Sequence, residues 1–76
     1  MMTPDDTLDV RGEVCPYPSL RARQKLLRME SGQVLEILVD HQPAALESIP
    51  ELCRRQGWDL IQEKSGDHWR LVVRRG

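Results

Sequence analysis

The sequence predicts a small α/β (α+β) fold: a single-domain two-layer sandwich, with two helices on one face of a four-stranded mixed sheet. Three observations carry this. The chain has 76 residues, enough for one domain and not for a cofactor domain beside a substrate domain. Its apolar residues form β-rich runs and stretches of helical spacing in the order β-α-β-α-β-β. Glycine, proline and short polar clusters fall between these segments.

Met1 to Asp6 is acidic and lacks an apolar stretch, so it reads as a flexible N-terminal tail (residues 1–6) before a domain over 7–76. Thr7-Leu8-Asp9-Val10 alternates polar and apolar and meets Arg11-Gly12, which predicts a short first strand. Pro16 to Glu30 is charged and free of glycine, and Ser31-Gly32 stops it, as at a helix C-terminus. Ala22, Leu26 and Met29, with Leu20 and Leu27 beside them, give that helix an apolar face. Val34 to Val39 is nearly continuous in apolar residues and reads as a buried central strand, broken by Asp40-His41-Gln42-Pro43. A second helix carries Ala45, Ile49, Leu52 and Cys53 at helical spacing and ends at Gly57. Pro50 either kinks it or makes it begin afresh near Ile49. Trp58 to Lys64, a turn over Ser65-Gly66-Asp67-His68, and Trp69 to Arg74 read as a hairpin. Right-handed crossovers then place both helices on the same face.

Composition narrows the function classes. A chain this short has a thin core, in which nearly every apolar residue is expected. Apolar residues at 39% and charged ones at 30% describe a globular domain. Eleven basic residues against twelve acidic ones leave net −1, which gives no electrostatic footprint for nucleic acid. No stretch approaches the roughly 18 apolar residues of a membrane span. Two cysteines do not make a disulfide scaffold, so a reduced, cytoplasmic protein is the default.

The most informative segment is Gly12-Glu13-Val14-Cys15-Pro16-Tyr17-Pro18, at the passage from strand to helix. Proline suits the first helical position, and Pro16 pushes Cys15 out of the α region into the geometry of an N-cap. There the helix dipole and any free first-turn N–H favour thiolate over thiol. Pro18 removes a second donor, which leaves more of this work to the dipole. Arg21 and Arg23 follow within two turns and add positive potential. An exposed thiol of lowered pKa is what a sulfur nucleophile requires. A small residue filling a turn before a proline-started helix accounts for Cys15 equally well on this physics alone. Cys53, on the apolar face of the second helix, reads as an inert core thiol.

Leu8-Asp9-x-Arg11-Gly12-x-x-Cys15-Pro16-x-Pro18, followed by Gly32, Asp40, Ile49-Pro50 and a basic last strand, resembles the TusA-like (SirA/YedF/YeeD-like) sulfur-carrier family from Leu8 to Arg75. The resemblance implies a βαβαββ sandwich with sheet order 1-2-4-3. It also implies a sulfurtransferase that carries sulfane sulfur as a persulfide on Cys15, without metal or organic cofactor. Partners would be a sulfur-donor protein of persulfide or rhodanese type and a sulfur-acceptor protein. Tyr17 and Ile49-Pro50-Glu51-Leu52 look closest to a branch associated with permeases for thiosulfate-like compounds. The alternative that this branch implies is a non-catalytic partner or regulatory subunit of such a permease. Asp40-His41-Gln42-Pro43 is one residue longer than the family's usual Asp-x-Pro turn, and Ser19 replaces a usual aliphatic residue.

With that sheet order, Cys15, the 40–43 loop and the 65–68 tip share one rim. Pro16, Pro18, Gly12, Arg23 and Asp40 are the supporting residues of the site. Asp40 caps the second helix, orients a partner or simply forms a turn. His41 and His68 each stand alone on a loop, as solvated histidines or general acids. No His or Cys pair has metal-ligand spacing. Arg21, Lys25 and Arg28 make a basic stripe, either a solvated face or a docking surface for an acidic partner. Trp58 and Trp69 read as packing residues rather than base-stacking platforms, which argues against an RNA-binding domain.

Overall fold

The computed structural model describes residues 4–14 and 17–76, with backbone only for Ala44. The elements are β1 (Asp6–Asp9), α1 (Tyr17–Arg28), β2 (Val34–Val39), a π-helical turn (Ala44–Ser48), α2 (Ile49–Gln56), β3 (Asp59–Ser65) and β4 (His68–Arg74). The sheet order is β1-β2-β4-β3, with β1 parallel to β2 and β4 antiparallel to both β2 and β3. This is the mixed four-stranded sheet of the predicted class. Asp6, expected in the tail, belongs to β1. Asp5 is tied to Val34 twice: its N–H donates to Val34 O at 2.8 Å, and its Oδ2 accepts from Val34 N–H at 2.8 Å.

β2 lies inside the sheet, bonded along both edges, and only Glu36 interrupts its apolar run. Leu35, Ile37 and Val39 face the helices and pair with Val73, Leu71 and Trp69 of β4. Against them pack Ala22 and Leu26 from α1, Met29 immediately after it, and Ile49 and Cys53 from α2. The opposite sheet face carries a polar row: Thr7 Oγ1 donates to Glu36 at 3.2 Å, Glu36 pairs with Arg70, and Arg70 reaches Glu63 at 3.6 Å. Lys64 stands 4.9 Å above the ring of its cross-strand neighbour Trp69.

The two leucines expected beside the α1 apolar face lie outside the core, Leu20 at 46% and Leu27 at 44% exposure. The i, i+4, i+7 row of Ala22, Leu26 and Met29 already fills the contact with the sheet, and Leu20 and Leu27 project away from it. Val14, Tyr17, Leu46 and Ile61 are exposed as well, so the thin core does not take up nearly every apolar residue. The last helical residue is Arg28 rather than Glu30. Met29 N–H closes the helix on Leu26 O at 3.1 Å, and the Arg75 guanidinium donates to Met29 O. Gly32 N–H donates to Arg75 O at 2.6 Å, so the end of β4 holds the α1–β2 turn.

Pro50 resolves the second helix into two parts. Lacking an N–H, it cannot donate to the Leu46 carbonyl, and the backbone widens to a π turn immediately before α2 starts at Ile49. Gly57 ends α2 in the left-handed region at φ 75°. Its N–H donates to Arg54 O at 3.3 Å while Trp58 N–H donates to Cys53 O at 2.9 Å, a Schellman pair. Trp58 and Cys53 then meet in the core.

Candidate functional site

The site is built on the loop that leaves β1 and enters α1. Its backbone is tied at four consecutive N–H groups. Val10 N–H donates to Leu38 O at 2.8 Å, Arg11 N–H to Asp9 Oδ1 at 3.0 Å, Gly12 N–H to Asp40 Oδ1 at 2.9 Å, and Glu13 N–H to Val10 O at 3.2 Å. Gly12 sits at φ 88°, and nothing lies within 4 Å of where a Cβ would be. The left-handed backbone, not crowding, is what calls for glycine there. Beyond the loop, Tyr17 N–H donates to Val14 O at 3.0 Å.

Carboxylates brace this loop from three directions. Asp9 takes the Arg11 guanidinium in a fork, Nε to Oδ1 at 3.0 Å and Nη2 to Oδ2 at 2.8 Å. Asp40 reaches across from the end of β2, and the Glu13 carboxylate pairs with Arg21 Nε of α1 at 2.6 Å. The side-chain hydrogen bonds from Arg11, joined by its N–H, lower the Asp9 pKa from 3.8 to about 2. Arg11→Ala therefore returns the Asp9 carboxyl toward 3.8, an upward move that a side-chain NMR titration reads. The brace is present above the ordinary carboxylate range and is lost as pH falls through the folded-state value near 2.

The hairpin tip joins the same rim. His68 Nδ1 and Asp67 Oδ1 lie 3.1 Å apart, and this hydrogen bond lowers the Asp67 carboxyl. The charges of Asp67 and Asp40 both reach Arg11. The loops after β1 and β2 and the β3–β4 turn are thus together, as the sheet order requires.

Cys15 and Pro16 lie outside the described residues. The flanking Val14 and Tyr17 are exposed at 55% and 56%, and Pro18 is buried beneath the start of α1. Arg23 lines an open groove of about 430 Å³ between α1 and α2, with Ser19, Leu20, Ser48, Leu52 and the Glu51–Arg55 pair (3.1 Å). The basic stripe is already partly neutralised within the chain: Arg21 by Glu13, and Lys25 by Asp6 at 2.5 Å. Arg28 meets no acidic side chain among the described residues. Asp40 does not cap the second helix; its carboxylate is spent on Gly12. His41 contributes its carbonyl to Ala45 N–H at 3.1 Å. The bracing roles of Asp9, Arg11 and Glu13 escape a sequence reading, although the Asp9-x-Arg11 spacing is a usable signal for the first pair. Among the described residues, no three His, Cys, Asp or Glu side chains gather as a metal site, and no helix is long and apolar enough to cross a membrane.

The family model of sulfurtransferase TusA matches residues 6–75. The chain belongs to the TusA family. It is 37% identical over 70 residues to a candidate sulfur carrier protein of Thermotoga maritima, covering 90% of this chain and 87% of the relative. A second candidate sulfur carrier, from Archaeoglobus fulgidus, is 33% identical over 73 residues, covering 93% and 82%. Among solved structures, the SirA-like protein of Desulfitobacterium hafniense superposes with a TM-score of 0.83 at 27% identity, over 93% of this chain and 97% of that one. Sulfur transfer is the general activity that TusA membership brings. In this TusA chain the matched span contains Cys15-Pro16-Tyr17-Pro18 and the whole braced loop that leads to it.

Proposed function

We propose that this TusA-family chain is a sulfur carrier that relays sulfane sulfur as a persulfide on Cys15 between a donor and an acceptor protein. The observation carrying the reading is the family match across residues 6–75, within which Cys15 stands in Cys-Pro-x-Pro. The other cysteine, Cys53, is buried at 1% exposure and is no candidate for exchange with a partner.

Loading begins when the Cys15 thiolate attacks the outer sulfur of a donor persulfide. A new S–S bond forms to Cys15, the donor's own S–S bond breaks, and the donor leaves as a thiolate. Delivery repeats the exchange, with an acceptor thiolate attacking the outer sulfur of Cys15–S–SH and Cys15 departing. No net oxidation occurs, so the chain need supply only a nucleophile and a recognisable surface. Pro18 lies in the first turn of α1, the helix that follows Cys15 in the chain, Gly12 allows the loop its left-handed bend, and Arg23 adds positive potential. Arg21, Lys25 and Arg28 are the docking cations. An acidic partner must displace Glu13 and Asp6 to use the first two, whereas Arg28 needs no such exchange.

Incubating the reduced protein with inorganic polysulfide and weighing it shows an adduct of about +32 Da, one sulfur. Cys15→Ser removes that adduct, while the far-ultraviolet spectrum is unchanged. A Cys15→Ser protein that still gains the sulfur overturns the assignment.

A further inference from the structure

We propose that Asp40 is a positioning residue for Cys15, acting through the Gly12 N–H that its carboxylate accepts at 2.9 Å. The proposal rests on the reading of Cys15 as the sulfur-bearing residue and adds a device that sets its rate.

The geometry behind it is specific. Of the four tied N–H groups in the loop, Val10 is held by a neighbouring strand as ordinary sheet, and Arg11 and Glu13 are held by atoms of residues 9 and 10. Those last two bonds shape the loop but do not fix it to the rest of the molecule. Gly12 alone of the four is anchored by a side chain from another segment, 28 positions away at the end of β2. β2 is bonded to both β1 and β4, so Asp40 refers the loop to the stiffest part of the sheet. Gly12 lies three residues before Cys15. Because glycine is free to rotate, it is where the loop would otherwise pivot. The second tie, Glu13 to Arg21, joins two side chains at the surface and is screened.

Hydrogen bonding and charge make opposite predictions for Cys15. A carboxylate acting through space disfavours a nearby thiolate, so its removal speeds the thiol. A carboxylate acting through the Gly12 N–H favours the thiolate by fixing the loop that delivers Cys15 to the N-cap position its sequence predicts, so loss of the bond slows the thiol. Asp40→Asn removes the charge and keeps an oxygen acceptor; Asp40→Ala removes both.

The test measures exchange of the Gly12 amide by NMR and the rate at which iodoacetamide alkylates Cys15 at pH 7. In Asp40→Ala, Gly12 exchange accelerates about tenfold or more and alkylation slows about two- to fivefold. In Asp40→Asn both stay near the wild-type values. Faster alkylation in both variants identifies Asp40 as a charge and overturns the proposal, as does wild-type Gly12 exchange in Asp40→Ala. The Asp40→Asn protein separates bond from charge by itself, so the proposal stays falsifiable should Asp40→Ala fold poorly. Neither readout needs sulfur. A wild-type protein that alkylates normally but takes up no sulfur refutes the carrier reading and leaves the positioning role of Asp40 standing.

Discussion

Ile37→Ala lowers the unfolding free energy by about 2–5 kcal/mol, read as an earlier urea midpoint at unchanged slope. Ile37 is fully buried at the middle of β2, paired with Leu8 on one side and Leu71 on the other. Truncation there removes three carbons from the point where both helices and three strands meet, and a fold of two thin layers has little with which to refill the space. At roughly 0.05–0.15 kcal/mol per residue, a domain of this size holds on the order of 4–11 kcal/mol in total. The substitution therefore consumes a large share of the stability. The control is Ile61→Ala, the same truncation on the open face of β3, where the side chain is 44% exposed. It costs less than about 1 kcal/mol. Equal losses at the two positions would mean that the core does not lie between the sheet and the helices.

The buried thiol gives the second large effect. Burial pushes Cys53 from 9.0 up to about 11, so at pH 8 about one molecule in a thousand carries the thiolate. In urea, with an ordinary thiol near 8.5, the fraction is about a quarter. Iodoacetamide at pH 8 is therefore expected to modify Cys53 at least about a hundredfold more slowly in the native protein than in the unfolded one, followed by intact mass. The same shift has a consequence for stability. A pKa raised in the folded state means that the neutral thiol is favoured by folding. The contribution is fully present below the unfolded-state value near 8.5 and is lost as the pH rises toward 11. Cys53→Ala flattens that alkaline decline. Rapid native alkylation of Cys53 would place it outside the core and make it a second candidate for sulfur exchange.

What the sequence makes legible is what depends on nearby residues. The apolar run of Val34 to Val39 names β2 with both ends correct, because a strand inside the sheet and under two helices has little room for polar side chains. Ala22 and Leu26, with Met29 one residue past the helix, mark the buried side of α1 because their spacing follows the helix. Leu20 and Leu27 show the limit of that signal: hydrophobicity identifies candidates for burial, and only the direction from the axis decides among them. At Pro50 the open point is how a missing donor is absorbed, and the π turn answers it. Asp40 is harder. Its partner is 28 positions away, so local spacing suggests a cap or a turn and cannot reveal a tie to Gly12. The basic stripe fails in the same way. Helical spacing brings Arg21 and Lys25 together, while the Glu13 and Asp6 that neutralise them come from the preceding loop and strand. The rim is legible as a place and not as a set of bonds.

The position of β4 also governs when that rim can exist. It comes after β3 in the chain yet lies inside the sheet, between β2 and β3. Among the described residues β3 pairs with no other strand. A nascent chain released as far as β3 thus holds one parallel pair and an orphan strand. Both antiparallel ladders, and the Asp67–His68 tip beside Arg11, arrive together with β4. The ladder from β4 to β2 also closes over the longest loop within the sheet, which carries the largest closure entropy. The loop that leads to Cys15 can meet Leu38, Asp40 and Arg21 from segments that precede β4, but a chain stopped short of β4 lacks the hairpin tip and so has the motif without the complete rim.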